Sequence, residues 1–271
     1  MRGVPIATIG DVDIHYRVRG DGPPVLGIMG FGLDQRFWAA TIPAVIERHS
    51  FITFDNRGTG RSGTGPITLE NMAADAVGLL DHLDIDEAVV FGVSMGGAIA
   101  QRVVLDHPDR VRALILAVTW ARPIEFMRRQ HEVARSILAG GGEDALLQAS
   151  LVRMFTPEFF EVGREAVDQM VAAFSVEGQP TVAEVETMEG QLDAIDKHDV
   201  LAELGRVQCP TLVVGGKFDV MVPFLGAAEI AKAIPGAEFA AFESGHGLMV
   251  EEMDSFNAEV SRFLASLPER T

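Results

Sequence analysis

The sequence contains a single cysteine, Cys209, so the chain cannot form an internal disulfide bond. This excludes the small secreted scaffolds that depend on several disulfides, and it suits a reducing compartment. The first residues lack the apolar stretch of a signal peptide, and no apolar run approaches the length of a membrane-spanning helix. We therefore expect a cytoplasmic protein without a membrane span.

Basic residues are also scarce, because 22 Lys and Arg stand against 39 Asp and Glu and give a formal net charge of −17. A phosphate backbone would be repelled by this charge, so we exclude nucleic acid as a partner. No Cys-x-x-Cys or His-x-x-x-His pair is present, and the seven histidines are scattered along the chain. We accordingly predict neither a metal site nor a bound cofactor.

Nucleotide-binding motifs are weak or missing. The pattern Gly58-x-Gly60-x-x-Gly63 matches a dinucleotide fingerprint, but Pro66 interrupts it before a helix could begin. No Gly-Lys-Ser/Thr sequence for a phosphate-binding loop is present. We interpret Asp55-Asn56-Arg57, beside these glycines, as a buried brace of hydrogen bonds within the loop.

Short apolar segments alternate with helical patterns over most of the sequence. Residues 4–18 alternate in polarity around a turn at Gly10 and predict a hairpin. Continuous apolar runs at 25–29, 51–54 and 88–93 are typical of strands buried on both faces of a parallel sheet. Amphipathic helical patterns lie between these runs. The predicted fold class is therefore α/β, with a mostly parallel central sheet and helices on both faces.

The alternation stops between Trp120 and Glu203, where the pattern is helical throughout. We interpret residues 1–119 and 204–271 as a core domain and residues 120–203 as an inserted helical cap. An insertion that leaves and re-enters at the carboxyl edge of a parallel sheet tends to lie over the ligand crevice. The helical pattern of the cap is broken at Gly140-Gly141-Gly142, Pro157, Gly178 and Pro180.

A nucleophile elbow is predicted around Ser94. The apolar strand pattern ends on Gly92-x-Ser94-x-Gly96, and a helical pattern follows at once. Ser94 would sit on a strained turn, where a Cβ atom at either glycine would collide with a neighbouring element. The N-terminus of the following helix would direct unpaired N–H groups toward a developing oxyanion.

A serine hydroxyl needs a general base, and the base needs a group that orients it. Asp219 and His246 each lie in a loop just after a predicted strand, as Ser94 does. The carboxyl ends of parallel strands share one edge of the sheet, so these three side chains can meet. Glu125, beyond the strand that ends near Thr119, is the alternative acid.

Two backbone amides are needed to bind the oxyanion of the tetrahedral intermediate. We expect one from Met95, directly after the nucleophile. The other is expected from the glycine-rich loop Gly30-Phe31-Gly32, with the N–H of Phe31 as the donor and Gly30 beside the substrate.

These motifs resemble those of the α/β-hydrolase fold superfamily over essentially the whole chain. The finer resemblance is to serine esterases of the β-ketoadipate enol-lactonase-like branch. That family usually carries His-Gly where this chain has Met29-Gly30. A serine rather than an aspartate at position 94 argues against the dehalogenase and epoxide-hydrolase branches. The matching residues are Gly30-Phe31-Gly32, Asp55-x-Arg57-Gly58-x-Gly60-x-Ser62, Gly92 to Gly97, Phe155 to Phe159, Asp219 and Gly245-His246.

The resemblance implies a cofactor-independent serine hydrolase that cleaves a small-molecule carboxylic ester or lactone through an acyl-enzyme on Ser94. Two alternatives stay open at this point. The chain could be a C–C bond hydrolase that uses the same three residues, or a ligand-binding receptor of this fold with little turnover. The sequence leaves the oligomeric state open between monomer and homodimer.

Large apolar residues in the cap predict a hydrophobic roof over the site, and therefore a preference for apolar esters or lactones of medium size. Trp120 leaves the strand next to the nucleophile strand, and we expect it to line the pocket. Other candidates for the roof, or for packing the cap, are Phe126, Met127, Leu146, Leu147, Leu151, Met154, Phe155, Phe159, Phe160, Met170 and Phe174.

Overall fold

A computed structural model describes residues 5–174 and 182–268. Its strands are β1 Ile6–Ile9, β2 Val12–Arg19, β3 Pro24–Ile28, β4 Ser50–Phe54, β5 Ala88–Val93, β6 Val111–Ala117, β7 Thr211–Gly216 and β8 Glu238–Phe242. Its α-helices are α1 Ile42–Ile46, α2 Leu69–His82, α3 Met95–Asp106, α4 Glu125–Met154, α5 Pro157–Val162, α6 Arg164–Phe174, α7 Val182–Lys197, α8 Leu225–Ala233, α9 Leu248–Glu251 and α10 Met253–Ser266. Short 3-10 helices cover Gln35–Ala40, Pro108–Arg110 and Leu201–Arg206.

The strands form one sheet in the order β1-β2-β4-β3-β5-β6-β7-β8. The predicted hairpin is present, with β1 antiparallel to β2 and β2 antiparallel to β4. From β4 to β8 all neighbours are parallel. The α/β class and the mostly parallel sheet are therefore confirmed.

Both faces of the sheet are covered by helices. Successive residues of β5 point to opposite sides, so Val90 joins one apolar cluster while Val89 and Phe91 join the other. The first cluster includes residues of α2, α3 and α8, and the second includes residues of α1 and α10. All six residues of β5 are buried. Strand β5, which leads to Ser94, therefore lies in the interior of the molecule, between two layers of helices.

The predicted insertion is present as helices α4 to α7, which lie between β6 and β7 in the chain. The glycine break at 140–142 appears as a kink at Gly142, whose φ of 73° and ψ of −168° are not helical. The predicted breaks at Gly178 and Pro180 lie outside the described residues. The inserted helical cap of the predicted fold class is confirmed, whereas the domain boundaries 1–119, 120–203 and 204–271 stay a prediction.

No helix in the described part of the chain is both long and apolar enough to cross a membrane.

Candidate active site

Ser94 occupies a sharp turn between β5 and α3. Its φ of 55° and ψ of −120° lie outside the regions that non-glycine residues normally adopt. A Cβ atom at Gly92 would approach the carbonyl oxygen of Gly96 to 2.3 Å, and one at Gly96 would approach that of Ile28 to 2.0 Å. Because neither backbone can move aside, both glycines are required for this turn. The strand, turn and helix have the geometry of a nucleophile elbow.

The backbone around Ser94 is fixed by hydrogen bonds from the neighbouring strand. The Ser94 N–H donates to the carbonyl oxygen of Ala117 at 2.9 Å. The Thr119 hydroxyl donates to the Ser94 carbonyl oxygen at 2.8 Å. These contacts hold the strained turn against β6 and so offset the unfavourable conformational energy of the unusual φ of Ser94.

The structure brings Ser94, His246 and Asp219 together at the carboxyl edge of the sheet. The distance from His246 Nε2 to Ser94 Oγ is 3.0 Å, and that from His246 Nδ1 to Asp219 Oδ2 is 2.7 Å. Both distances are within hydrogen-bond reach. They connect a hydroxyl, an imidazole and a carboxylate in one line, which is the arrangement of a Ser-His-Asp triad.

The Asp219 carboxylate is held by its own loop. Its Oδ1 accepts from the N–H groups of Met221 and Val222, each at 2.8 Å. Its other oxygen is thereby directed toward His246. The alternative acid, Glu125, lies at the start of α4, is paired with Arg129, and has a side chain 67% exposed. The structure therefore does not bring Glu125 to the histidine.

The loop that carries His246, residues 243–247, is clamped between the core and the cap. The Glu251 carboxylate accepts from the Gly245 N–H at 2.5 Å and, through its other oxygen, from the Thr156 N–H. The Gly247 N–H donates to the Met154 carbonyl oxygen at 2.7 Å. One carboxylate of the core thus fixes both the histidine loop and the junction between α4 and α5.

The predicted oxyanion loop, Gly30-Phe31-Gly32, lies directly against Ser94. A Cβ atom at Gly30 would lie 3.1 Å from the Cβ of Ser94, so a larger residue there would crowd the serine. Among the described residues, the amides of Phe31 and Met95 donate to no protein acceptor. Both N–H groups are therefore available to a bound group.

Side chains from outside the oxyanion loop hold it in place. The Asn56 side-chain amide donates to the carbonyl oxygen of Met29 at 2.9 Å, just before the loop. The Gly32 N–H donates at 3.0 Å to Oε1 of Gln191, which comes from cap helix α7. The neighbouring brace is also present, because the Arg57 guanidinium donates to both oxygens of Asp75 at 2.6 and 2.7 Å.

A cavity of about 530 Å³ opens over Ser94 and His246. The cap supplies Leu146, Leu147, Met154 and Met188 to its wall, and the core supplies Phe31 and Phe37. Neutral polar groups line another part, namely Thr59, Ser62, Thr64, Ser150, Thr187 and Gln191. The predicted apolar roof is therefore present in part. Among the described residues, no group of three His, Cys, Asp or Glu side chains could hold a metal ion.

The expectation that Trp120 lines the pocket is wrong. Its side chain is 2% exposed and belongs to the apolar cluster on the α2 and α3 side of the sheet. Its ring meets that of His198 edge to face at a centroid distance of 6.2 Å, and its carbonyl oxygen accepts from Gln101 at 2.9 Å. Val118, with a φ of 45°, redirects the chain after β6, so Trp120 packs among helices instead of over the serine.

Gln191 and Glu251 are two residues of the site whose contacts the sequence did not predict. Both accept from backbone amides that are distant in the chain, Gln191 from Gly32 and Glu251 from Thr156, and Glu251 also accepts from the nearby Gly245. Neither belongs to a local motif, so no spacing in the sequence could have indicated them.

Comparison with known proteins agrees with this geometry. The family described as alpha/beta hydrolase fold matches residues 23–252. The "Putative carbamate hydrolase RutD" of Azorhizobium caulinodans is 33% identical over 97% of this chain and 99% of its own length.

Solved structures give the same result. The enol-lactonase from Burkholderia xenovorans LB400 is 28% identical and superposes with a TM-score of 0.88 over 97% of this chain and 100% of that one. A thermophilic esterase from Thermogutta terrifontis is 26% identical, with a TM-score of 0.84 over 96% of each chain. The chain belongs to the alpha/beta hydrolase fold family.

Proposed function

We propose that this protein is a cofactor-independent serine hydrolase that cleaves a carboxylic ester or lactone. The observation that carries the proposal is the connected line of Ser94 Oγ, His246 Nε2 at 3.0 Å, and Asp219 Oδ2 at 2.7 Å from His246 Nδ1. This line ends in a cavity of about 530 Å³, large enough for a small organic molecule. The nearby enol-lactonase and esterase structures support the same reaction class.

The reaction would proceed in two halves. His246 Nε2 takes the hydroxyl proton of Ser94 as Oγ attacks the carbonyl carbon, and Asp219 stabilises the resulting imidazolium. The amides of Phe31 and Met95 bind the oxyanion. The tetrahedral intermediate then collapses, the bond to the leaving alkoxide breaks, and His246 gives that alkoxide its proton.

The second half reverses these roles. A water molecule gives one proton to His246 while its oxygen attacks the acyl carbon. Collapse of the second tetrahedral intermediate breaks the bond to Ser94 Oγ, which recovers the proton from the imidazolium. The products are a carboxylic acid and an alcohol, which in a lactone remain parts of one molecule.

A carbamate is the second candidate substrate class. The names of the curated relatives, at 33% identity for the protein of Azorhizobium caulinodans, favour it. A carbamate carbonyl meets the same nucleophile and oxyanion donors, so the machinery needs no change. The difference would lie in the acyl-enzyme, which would carry a carbamoyl group.

The nucleophile is tested by labelling with a fluorophosphonate, which reacts covalently with an activated serine. We expect the wild-type protein to be labelled at Ser94 and the Ser94→Ala variant to be unlabelled, with kcat reduced on the order of 10⁶-fold. Ser150→Ala is the matched control, because Ser150 lines the same cavity from the cap. Absence of labelling at Ser94, together with ligand binding that survives His246→Ala, would identify a receptor instead.

The substrate class is tested on a panel of purified esters, lactones and carbamates. We expect a higher kcat/KM for medium-sized apolar esters or lactones than for acetyl esters or multiply charged ones, because apolar side chains from the cap line the cavity. A kcat/KM that is highest for carbamates would replace the ester with the second candidate.

A further inference from the structure

We propose that Gln191 of the cap is a positioning residue that fixes the conformation of the oxyanion loop. The inference rests on the proposed function, because it assigns the loop a part in that reaction. It differs from that function in naming a residue of α7, outside the triad, on which the reaction depends. The position of the cap would then affect the position of the oxyanion donor, through the side chain of Gln191.

Both ends of the Gln191 amide are in use. The side chain is completely buried. Its Oε1 accepts from the Gly32 N–H at 3.0 Å, and its Nε2 donates to the Thr59 hydroxyl at 3.1 Å. With the two polar atoms engaged on different loops, the amide has a single orientation that satisfies both. The acceptor is therefore held toward Gly32.

The geometry of the oxyanion loop explains why this acceptor matters. Residues 30–33 form a tight turn in which the Leu33 N–H donates to the Gly30 carbonyl oxygen at 3.4 Å. Gly32, in the third position, has a φ of 65°, the sign that a type II turn requires there. Types I and II differ by a flip of the central peptide, which here joins Phe31 to Gly32. In the flipped form the Phe31 carbonyl would replace the Gly32 N–H as the group that faces Gln191.

The Gln191 oxygen selects between these two forms. It attracts an N–H group and repels a carbonyl oxygen, so it stabilises the turn as observed. The flip turns the peptide between Phe31 and Gly32, whereas the Phe31 N–H belongs to the preceding peptide, so Gln191 acts on that N–H by holding the whole turn in position. Within the described part of the chain, the Phe31 N–H donates to no protein acceptor. Without Gln191, the turn would lose its hydrogen bond to the cap and sample both forms, and the Phe31 N–H would be held less firmly against Ser94.

The other end of the bridge reinforces this effect. The Thr59 N–H donates to the Asn56 carbonyl oxygen at 2.9 Å. Asn56 in turn donates from its side chain to the Met29 carbonyl oxygen at 2.9 Å. Gln191 therefore joins the oxyanion loop to the loop of Asn56 and Thr59, and Asn56 joins that loop back to Met29, just before the oxyanion loop.

The test compares Gln191→Leu with Gln191→Glu. Leucine has a similar size without the acceptor, whereas glutamate keeps an oxygen for the Gly32 N–H. We expect Gln191→Leu to lower kcat by about 10- to 100-fold with little change in KM, because the oxyanion forms only after binding. Affinity for a trifluoromethyl ketone, which forms a tetrahedral adduct with the serine, should fall in parallel. Gln191→Glu should keep most of the kcat and inhibitor affinity that Gln191→Leu loses.

Arg135→Leu is the matched control for the stability of the cap. Arg135 on α4 pairs with Asp193 and Asp196 of α7, at 2.7 and 3.2 Å, and has no bond to the core loops. We expect this variant to keep kcat within about twofold. An equal loss of kcat in Arg135→Leu and Gln191→Leu would assign the effect to loosening of α7 and overturn the proposal.

Amide hydrogen exchange supplies a readout that does not depend on turnover. We expect faster exchange in the peptide that contains residues 30–33 in Gln191→Leu, and unchanged exchange there in Arg135→Leu. Unchanged exchange in both variants would overturn the inference. If the loop responds as expected but the wild-type protein hydrolyses no member of the panel, the coupling stands and the proposed function fails.

Discussion

The core and the cap meet around one cavity, but they are held together differently. In the core, the nucleophile turn is fixed by backbone contacts that leave no space for a Cβ atom at Gly92 or Gly96. In the cap, some buried apolar residues join the large core cluster, the others form two small clusters, and partly exposed ion pairs such as Arg135 with Asp193 join the helices. Exposed ion pairs contribute little stability. The proposed catalytic groups therefore lie in the tightly constrained part, whereas the cap supplies only part of the cavity wall.

The strongest test of this difference between core and cap makes the same change, carboxylate to amide, at one residue of each region. Asp219→Asn should lower kcat on the order of 10⁴-fold, because an amide stabilises the wrong tautomer of His246. Glu125→Gln, an equivalent change on an exposed residue of α4, should leave kcat within about twofold. Steady-state kinetics of both variants on one ester provide the measurement. A large loss in Glu125→Gln alone would assign the acid to the cap.

A glycine in each region gives the next largest contrast. Gly96→Ala should lower the free energy of unfolding by about 3 kcal/mol, because the new Cβ would lie 2.0 Å from the carbonyl oxygen of Ile28. Gly140→Ala in α4 meets nothing within 4 Å and should raise it by about 0.5–1 kcal/mol through helix propensity.

Chemical denaturation of both variants measures the difference between the two glycines. If Gly96→Ala were as stable as the wild-type protein, the close approach of β3 and α3 would not be a constraint. The idea that the nucleophile turn is rigid would then be wrong.

The smallest effect concerns pH and His198, which follows α7 where the cap returns to the core. Burial lowers the pKa of His198 to about 3, with a smaller contribution from Arg102. In the unfolded chain, His198 has its ordinary pKa of 6.5. Between pH 3 and pH 6.5, the unfolded chain therefore binds a proton on His198 that the native state does not bind. The stability from neutral His198 is thus complete above pH 6.5 and is lost as the pH falls from 6.5 toward 3.

His198→Gln removes this dependence while keeping a polar side chain. Below pH 6.5, we expect the free energy of unfolding of the wild type to fall relative to that of the variant by about 1 kcal/mol for each pH unit. Unfolding curves between pH 7 and 4 measure it, and His82→Gln, on the exposed side of α2, is the control. Parallel curves for wild type and His198→Gln would contradict the predicted dependence.

Sequence reasoning worked best where local constraints are strong. The glycines on both sides of Ser94, between a strand and a helix pattern, predict the sharp turn, and the alternation of strands and helices predicts Asp219 and His246 at the same edge of the sheet. The structure brings these three residues together. The Thr68 hydroxyl caps α2 through a similarly local contact, because it accepts from the Asn71 N–H at 3.1 Å.

It failed where a side chain's direction depends on one dihedral angle. Trp120 follows the strand next to the nucleophile, but the positive φ of Val118 turns it into the core. A β-branched residue gives no sequence signal for such an angle. Gln191 was missed for a different reason, since its partners Gly32 and Thr59 are distant in the chain.

Because β6 and β7 are neighbours in the sheet, the cap between them can change in length and structure while the sheet stays the same. The chain leaves the sheet after Ala117 and returns at Thr211, on strands that pair directly with each other. In terms of topology the whole cap is a single loop between adjacent strands, and the entropic cost of a loop rises only slowly with its length. Helices can therefore be added, removed or exchanged here without a new sheet order. The part of the cavity wall that the cap supplies can therefore change while the sheet and the turn at Ser94 stay the same.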